Sequence, residues 1–446
     1  MSNSSNLPGQ SSRRDILKAS AIVAGTALAT SFIAQSAHAA SGDTIKIGLI
    51  GCGGRGTGAA NQALSTEGPV QLVGVADAFK DRAEGAAKGL KKKFDKTDRV
   101  KISDDNIFVG FDGYKKLIDS GIDLVIIATP PGFRSYHFEY AVQQGKNIFA
   151  EKPIATDAAG VRRFLAAAEE SKKKNLKVGI GLQRHHDAGY IDTVKRIQDG
   201  ALGDLILMRA YWNGTRPWLN ARTDLMKNKP DLTEMEYQMR NWYYFNWLCG
   251  DHINEQHIHN LDVINWVMGG PPVEAQGVGG KQVDTGIDSG EIYDHHMVEY
   301  TYKNGTKLLS ECRHQPKCWN SVTEYAHGTL GSATISAPHT FAMRDGSKWQ
   351  TAAKGKDPYQ QEHDDLFKAI RENLPYNEAV YGATSTMTSI LGRMATYSGK
   401  VVKFDDALKN GPDNMAKSFA MDAEPPTLPD KDGRYPIPMP GVYKPY

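Results

Sequence analysis

The segment Gly250–Trp266, GDHINEQHIHNLDVINW, gathers three of the chain's 13 histidines together with three carboxylates. A continuous α-helix turns by about 100° per residue and would place four of these side chains on one face: His252, Glu255, His259 and Asp262. His257 would point to the opposite side. A face of histidines and carboxylates can transfer protons or bind zinc, and the segment by itself leaves both chemistries open.

A glycine-rich turn near the start of the chain predicts a second chemical site. The stretch IKIGLIGCGGRGTG puts Gly51, Gly53 and Gly56 in GxGxxG spacing, directly after an apolar strand and at the start of a helix. Glycines in this context permit a tight turn and bring the backbone close to a pyrophosphate, whose charge meets the helix N-terminus. We therefore assign dinucleotide binding to these glycines and to Gly54 and Arg55 within the same turn.

The choice of dinucleotide depends on the end of the second predicted strand, at Asp77. A carboxylate there can accept hydrogen bonds from both hydroxyls of the adenine ribose and would repel a 2′-phosphate, which favours NAD. Lys80 and Arg82 are close enough in sequence to contact a phosphate, so NADP remains an alternative.

Two further strand ends contribute polar residues to the same edge of the sheet. In doubly wound sheets, ligands bind at the carboxyl ends of the strands. The stretch ATPPGFRSYH therefore places Thr129, Pro130 and His137 beside the cofactor, and the stretch AEKP places Glu151 and Lys152 there. A lysine beside a nicotinamide can donate a hydrogen bond to a reacting oxygen, whereas the alternative is an ordinary surface lysine.

The hydrophobic pattern divides the chain into an α/β domain and an α+β domain. Residues 42–185 alternate apolar strands with amphipathic helices, which predicts a parallel Rossmann sheet covered on both faces. Residues 186–405 carry longer alternating stretches, which predict an open, largely antiparallel sheet and helices that return to the first domain. Residues 406–446 form a proline-rich tail that we expect to wrap a surface or a neighbouring subunit. The strands predicted in the first domain are 44–50, 70–77, 123–129, 147–153 and 177–183.

Residues 1–39 have the pattern of a twin-arginine export signal. Arg13 and Arg14 precede a weakly apolar run, and the small residues of AHA at 37–39 suit signal-peptidase cleavage. The run is too short and too polar for a stable membrane anchor. Because the twin-arginine machinery exports folded proteins, we expect a periplasmic protein that binds its cofactor tightly before export.

The net charge bears on which partners the protein can bind, and the cysteine spacing bears on zinc binding and disulfide formation. Removal of residues 1–39 would leave equal numbers of acidic and basic residues, which gives no support for a nucleic-acid or anionic-membrane partner. The four cysteines lack zinc-type spacing, and a Cys312–Cys318 disulfide is one possibility in an oxidising compartment.

Aromatic residues concentrate in 211–247, which holds four of the seven tryptophans. Aromatic faces stack on the C–H faces of sugar rings while polar neighbours bind hydroxyls, so we assign substrate binding to Trp212 and Arg216. A core or subunit contact is the alternative for these aromatics. Arg184 and His185 follow the last predicted strand of the first domain, and we expect them to reach the substrate too.

Taken together, these motifs resemble the glucose-fructose oxidoreductase, inositol dehydrogenase and rhizopine-catabolism (Gfo/Idh/MocA) family over essentially the whole mature chain. The resemblance rests on GCGGRG, ATPPGFRSYH, GKNIFAEKPIA and the HxxD of HNLDVINW, followed by the open-faced sheet. It implies that Lys152 and His259 flank the reacting carbon of the substrate beside the nicotinamide, without a metal. It also implies a homo-oligomer formed through the second-domain sheet.

The resemblance and the residues together predict roles at the reacting centre. His259 would take the hydroxyl proton while Lys152 steadies the oxygen. Family members often carry Asp where this chain has Glu255, a change that keeps the charge and lengthens the arm. We expect Glu255 to orient the imidazole or to bind a sugar hydroxyl, and Asp262 to bind substrate or to cap local structure.

Three functions are consistent with the sequence. The first is a periplasmic NAD(P)-dependent oxidoreductase acting on a ring hydroxyl or ketone of a sugar, glycoside or cyclitol. The second is an NAD-dependent glycosidase that oxidises C3 transiently and eliminates the aglycone. The third is a non-catalytic sugar-binding protein on the same scaffold, against which the presence of both Lys152 and His259 argues.

Overall fold

The computed structural model describes residues 43–446, so the predicted export signal lies outside the described residues. Within 43–446 the chain forms one six-stranded and one nine-stranded sheet. The first sheet belongs to the α/β domain and the second to the α+β domain, as predicted.

The first sheet is entirely parallel, with strand order β3-β2-β1-β4-β5-β6. Its central strands are almost continuously apolar because helices cover both faces. The sequence-based prediction missed β3, a three-residue strand at the sheet edge with two partly buried residues and the exposed Val109. The strands are β1 Ile45–Ile50, β2 Val70–Asp77, β3 Ile107–Val109, β4 Leu124–Ile127, β5 Asn147–Ala150 and β6 Val178–Ile180.

Four of the five helices of this domain bury one mainly apolar stripe each, whereas the fourth also buries Arg134, Ser135 and His137. In the fifth, Val161, Phe164 and Ala168 recur every three to four residues and are buried, and Asp157 caps the first turn by accepting a hydrogen bond from Gly160 N at 2.7 Å. The helices are α1 Gly54–Leu64, α2 Lys80–Lys93, α3 Gly113–Asp119, α4 Pro131–Gln143 and α5 Ala158–Lys173, with a short 3₁₀ turn at Asp104–Asn106.

The second sheet has strand order β14-β13-β12-β11-β7-β10-β9-β8-β15. Its pairs are antiparallel except β7 with β10, so the largely antiparallel prediction is confirmed. Along β10, Leu308, Ser310 and Cys312 are buried and alternate with partly exposed residues, the pattern of a sheet packed on one face. The strands are β7 Leu205–Gly214, β8 Glu274–Gly280, β9 His295–Thr301, β10 Lys307–His314, β11 Ser321–Gly328, β12 Gly331–Thr334, β13 Thr340–Met343, β14 Lys348–Gln350 and β15 Val402–Lys403.

A long helix near the C-terminus joins the two domains. The thirteenth helix, Ala379–Ser398, is buried along most of its length and packs against α5 and β8. Its buried Arg393 donates from Nη1 to Thr156 O and to Asn246 Oδ1, both at 2.7 Å. The remaining helices are α6 Ala188–Gln198, α7 Arg222–Asn228, α8 Glu234–Arg240, α9 Asn246–Cys249, α10 His252–Glu255, α11 Ile258–Met268, α12 Pro358–Arg371, α13 Ala379–Ser398 and α14 Phe404–Asn410, with 3₁₀ turns at Gln183–His186 and Trp242–Tyr244.

The continuous helix assumed for Gly250–Trp266 is wrong. The segment forms α10 and α11, which are separated at Gln256 and His257. The break rotates the two helices relative to each other, so His252 lies in the protein interior against Asp251, away from the face that carries His259. His252 and Asp262 therefore leave the predicted shared face, whereas Glu255 and His259 still line one cavity.

The C-terminal tail packs along its own chain. Tyr435 is buried, Tyr293 Oη donates to Pro438 O at 2.7 Å, and Gly441 N donates to Ser398 O at 2.9 Å. Cys312 and Cys318 are separate free thiols, buried and exposed respectively. Across 43–446, no helix is both long enough and apolar enough to cross a membrane.

Candidate active site

A cavity of about 630 Å³ lies where the carboxyl ends of the Rossmann strands face the second domain. The first domain supplies the glycine turn and three strand ends, and the second domain supplies residues of α8, α10 and α11. All of the residues predicted to bind cofactor line it: Gly51, Gly53, Gly54, Arg55, Gly56, Asp77, Thr129, Pro130, His137, Glu151 and Lys152.

The glycine turn has the shape that a dinucleotide pyrophosphate requires. Gly51 has a φ of 90°, and a Cβ on Gly56 would collide with the carbonyl oxygen of Gly51. A Cβ on Gly53 or Gly54 would instead meet no atom of residues 43–446 within 4 Å. The turn is therefore closed on its protein side and open at the N-terminus of α1, where the amides can face an anion.

Asp77 is held by the backbone around the turn. Its Oδ2 accepts from Cys52 N at 2.7 Å and its Oδ1 accepts from Phe79 N at 2.9 Å. Burial raises the pKa of this carboxyl group despite these two hydrogen bonds. Each oxygen keeps a lone pair for a ribose hydroxyl, so the site fits an adenosine ribose. Arg82 also lines the cavity.

Buried Arg134 ties the two polar strand ends together. Its Nε donates to Thr129 O at 2.7 Å and its Nη1 donates to Pro153 O at 2.8 Å. His137 Nδ1 lies 3.2 Å from Thr129 Oγ1, and burial lowers the pKa of His137 to about 3, so that this imidazole is neutral at physiological pH. The arrangement fixes the loop after β4 beside the residues that follow β5.

Arg55 and Glu151 form an ion pair across the cavity floor, with Nε and Oε1 2.9 Å apart. The guanidinium carbon of Arg55 also lies 5.1 Å from the ring centroid of Tyr359, which comes from α12. Glu151 is buried, so this pair keeps a carboxylate compensated inside the protein.

Lys152 reaches across the domain boundary to Glu255. Its Nζ donates to the backbone oxygen of Glu255 at 2.6 Å and to the carboxylate Oε1 at 3.2 Å. Both side chains are mostly buried. The partner of Glu255 is therefore Lys152, whereas the sequence had offered His259 or a substrate hydroxyl.

His259 lines the same cavity from α11. Burial, with the positive charges of Lys152 and Arg184, holds the pKa of His259 well below its usual range. Its Nδ1 is buried and has no hydrogen-bonding partner within the described chain. The ring stacks on Trp212 with centroids 5.8 Å apart. The imidazole is thus neutral at physiological pH and can accept a proton.

The residues predicted to contact substrate lie outside the cavity lining of the described chain, and most are paired elsewhere. Arg184 binds Glu324, and Arg216 binds Asp284 at 2.8 Å. His185 Nε2 lies 2.8 Å from Asp262 Oδ2, and Ser385 donates to Asp262 Oδ1 at 2.7 Å. Trp212 touches the site through the ring of His259.

Several lining residues escaped the sequence-based prediction. Trp218, Trp242 and Tyr243 belong to the aromatic-rich segment that was predicted to meet the substrate, although only Trp212 and Arg216 were assigned as its site residues. Phe79 lies two residues after Asp77, the predicted strand end. Arg134 and Gln256 lie within two stretches already predicted to reach the site, ATPPGFRSYH and Gly250–Trp266. No local pattern marked the others, which come from distant parts of the chain: Phe111, Tyr114, Met239, Arg240 and Tyr359.

A second polar group lies behind the cavity, around Asp251. Its Oδ1 lies 2.8 Å from His252 Nδ1 and 3.2 Å from His296 Nε2, and its Oδ2 accepts from Tyr397 Oη at 2.6 Å. Asp251, His252 and His296 are buried and close enough to share a metal ion. Both carboxylate oxygens already have protein partners, whereas both ring nitrogens of His252 lack a well-oriented hydrogen bond among the described residues.

Comparisons with known proteins agree with this geometry. Residues 45–180 match the family described as "Oxidoreductase family, NAD-binding Rossmann fold", and residues 191–334 match the "GFO/IDH/MocA C-terminal domain". The inositol 2-dehydrogenase of Rhizobium meliloti strain 1021 is 25% identical over 290 residues, which cover 65% of this chain and 74% of that protein.

Two solved structures share the fold. The aldose-aldose oxidoreductase from Caulobacter crescentus, complexed with glycerol, aligns with a TM-score of 0.63 at 18% identity and covers 81% of this chain and 100% of that one. The scyllo-inositol dehydrogenase from Lactobacillus casei, with NAD(H) and scyllo-inositol bound, aligns with a TM-score of 0.59 at 18% identity and the same coverages. At these identities the likeness shows the fold alone.

Proposed function

Because the chain belongs to the Gfo/Idh/MocA family of NAD-binding oxidoreductases, we propose that it transfers hydride between NAD and a ring hydroxyl or ketone of a sugar, glycoside or cyclitol. One observation carries the proposal: Lys152 and a neutral His259 line the same cavity as the glycine turn. The names of the similar proteins, inositol and aldose oxidoreductases, support the substrate class.

The glycine turn, Asp77 and the residues after β4 and β5 would hold the dinucleotide, which supplies the hydride acceptor. The substrate would lie against Lys152 and His259. Lys152 donates a hydrogen bond to the substrate oxygen and stabilises negative charge that develops there. His259 accepts the hydroxyl proton, which its neutral state at physiological pH permits.

The carboxylate of Asp77 supports NAD as the cofactor. A 2′-phosphate would lie against this partly buried acid, and its negative charge would be repelled. Arg82 lines the cavity close by and leaves NADP as the alternative. We further propose that the cofactor stays bound between turnovers, which suits an exported enzyme because the periplasm holds little free dinucleotide.

Export itself is part of the proposal. Residues 1–39 carry the twin-arginine pattern, so the enzyme would fold around its cofactor and then cross to the periplasm. The exposed face of the second sheet carries Val278 and Met297, which lie opposite each other on β8 and β9, and this supports a homo-oligomer formed through the sheet.

The test uses the purified full chain. Denaturation should release a dinucleotide that chromatography identifies as NAD or NADH. Sugars and cyclitols are then added one at a time, and the absorbance of bound NADH should rise with one of them. If no dinucleotide is released and none binds when added, the oxidoreductase proposal fails. If NADH appears transiently while an aglycone is released from a glycoside, the enzyme is instead an NAD-dependent glycosidase.

A further inference from the structure

The two domains touch each other at the edge of the cavity, through Arg240. The guanidinium carbon of Arg240, from the second domain, lies 3.8 Å from the ring centroid of Phe79, from the first. Its Nη1 and Nη2 donate to the two carboxylate oxygens of Asp81 at 2.9 and 3.1 Å. Phe79 and Arg240 both line the cavity. A stacked, two-pronged contact therefore bridges the cavity from one wall to the other.

The bridge lies over the adenosine half of the predicted dinucleotide. Phe79 and Asp81 follow Asp77, the carboxylate placed to bind the adenine ribose, by two and four positions. The Lys152 and His259 side chains belong instead to the strand ends and helix at the reacting half. The contact is thus positioned to affect cofactor binding without touching the groups that handle the substrate proton.

Arg240 lies in a well-packed part of the second domain. It ends α8, and the next residue, Asn241, is fully buried. The side chain of Asn241 makes two hydrogen bonds to the backbone of Asn220: its Nδ2 donates to Asn220 O at 3.0 Å, and its Oδ1 accepts from Asn220 N at 2.9 Å. Trp218 and Trp242, which flank this pair in sequence, lie 5.5 Å apart and also line the cavity. We call the residues around Asn220 and Asn241 the second-domain roof of the cavity. Because the roof is well packed, Arg240 is held in place over Phe79.

The contact of Arg240 with Asp81 and Phe79 is directional, and it can form and break reversibly. An arginine that binds a carboxylate with two parallel hydrogen bonds and stacks on an aromatic ring makes a directional contact. The pKa of the Asp81 carboxyl is lowered chiefly by its hydrogen bonds to Arg240. The Asp81 side chain is nevertheless 60% exposed, so water can replace the pairing and the contact can break reversibly.

We propose that Arg240, Phe79 and Asp81 form a clasp that closes over the adenosine half of the bound dinucleotide and slows its release. The clasp rests on the proposed function, because it requires NAD(H) in the cavity. It gives a structural basis for cofactor retention: dissociation must first separate the second-domain roof from the loop after β2.

The experiment measures release of NADH directly. The NADH-loaded full chain is mixed with excess NAD in a stopped-flow instrument, and the loss of NADH fluorescence reports the dissociation rate constant. Asp81→Asn should speed release by about two- to fivefold, as expected for loss of an exposed ion pair. Arg240→Ala, which also loses the contact with the Phe79 ring, should speed it by about tenfold. The double variant should release no faster than the quicker single variant, because both changes break the same contact. High salt should speed release from the wild type and leave the double variant unchanged.

Arg196→Ala is the matched control. Arg196 also pairs with a carboxylate, Asp192, at 3.2 Å, and also stacks on an aromatic ring, Trp349, at 4.0 Å, but it lies outside the cavity lining among the described residues. This variant should release NADH at the wild-type rate.

The outcomes separate the two proposals. If NADH binds and the Arg240 and Asp81 variants release it at the wild-type rate, the clasp is wrong and the proposed function stands. If Arg240→Ala speeds release while Asp81→Asn does not, Arg240 contacts the cofactor directly and the clasp is again wrong. If no variant and no wild-type protein binds NADH, the proposed function fails and the clasp fails with it.

Discussion

Lys152 Nζ is held by Glu255 through two different acceptors, the backbone carbonyl at 2.6 Å and the carboxylate at 3.2 Å. The lysine follows a strand of the Rossmann domain, and the glutamate ends α10 of the second domain. The position of the ammonium group therefore depends on how the two domains pack. A reaction that needs Lys152 beside the substrate oxygen is set up by this interdomain contact.

Replacement of Lys152 should separate chemistry from cofactor binding. Lys152→Met removes the hydrogen-bond donor and its charge while keeping an unbranched side chain, so the hydride-transfer rate should fall by about 10²–10⁴-fold. NAD should remain bound because the glycine turn and Asp77 are untouched. Single-turnover kinetics and NADH titration measure the two properties. Unchanged hydride transfer in this variant would show that Lys152 has no chemical role.

Removal of the Glu255 charge should have a smaller effect. In Glu255→Gln the backbone carbonyl still accepts from Lys152, and the side-chain oxygen remains an acceptor but loses its negative charge. We expect kcat to fall about tenfold, in line with the weakening of one charge-assisted positioning contact. Glu255→Asp is the comparison, since it keeps the charge and shortens the arm. A loss as large as that of Lys152→Met would mean that the carboxylate itself takes part in proton transfer.

The pH profile should reveal the neutral state of His259. A base works when unprotonated, and the pKa of His259 lies well below its usual range, so this base stays active as the pH falls through about 6.5. An exposed histidine would lose half of its active form at that pH. The measurement is the hydride-transfer rate constant from about pH 8 down to about pH 6. A titration near 6.5 that vanishes in His259→Asn would contradict the burial of this base.

His363 provides a stability test away from the proposed chemistry. It is buried against Phe149 with centroids 4.1 Å apart, and both ring nitrogens lack hydrogen-bonding partners in the part of the chain that the structure describes. Burial, with the charges of Arg55 and His186, lowers the pKa of His363 to about 3. Acid therefore favours the unfolded chain, in which this histidine takes up a proton below its normal pKa.

His363→Phe should consequently stabilise the protein more at low pH than at high pH. At about pH 5.5, a shift from a normal pKa of about 6.5 to about 3 corresponds to about 1.4 kcal/mol, whereas at about pH 8 it contributes almost nothing. Thermal unfolding of cofactor-free wild type and variant at the two pH values measures the difference. An equal change in stability at both would show that His363 is not held neutral in the folded chain.

The cofactor half of the site could be predicted from the sequence because its determinants are local. A GxGxxG turn between a strand and a helix has a characteristic backbone conformation, and the carboxyl ends of parallel strands lie at the same edge of the sheet. Gly51, Asp77 and Lys152 therefore came together from patterns of a few residues each. The short strand β3 was missed because three residues carry no recognisable period.

The substrate half depended on contacts that sequence cannot show. The break between α10 and α11 has no glycine or proline to mark it, and Asp251, with a φ of 72°, is stabilised by Tyr397 and Tyr293, which come from distant segments. Arg184 looked free to bind substrate, yet buried Glu324 compensates its charge. Long-range pairings of this kind decide which polar residues remain available.

The most direct test of the central claim is a single turnover on enzyme-bound NAD. Wild-type protein and His259→Asn, loaded with equal amounts of NAD, are mixed with the sugar or cyclitol that reduces the wild-type cofactor, and NADH absorbance is followed in time. NADH absorbance should rise rapidly in the wild type and at least about 10²-fold more slowly in the variant. Equal rates in the two proteins would contradict the assignment of His259 as the base.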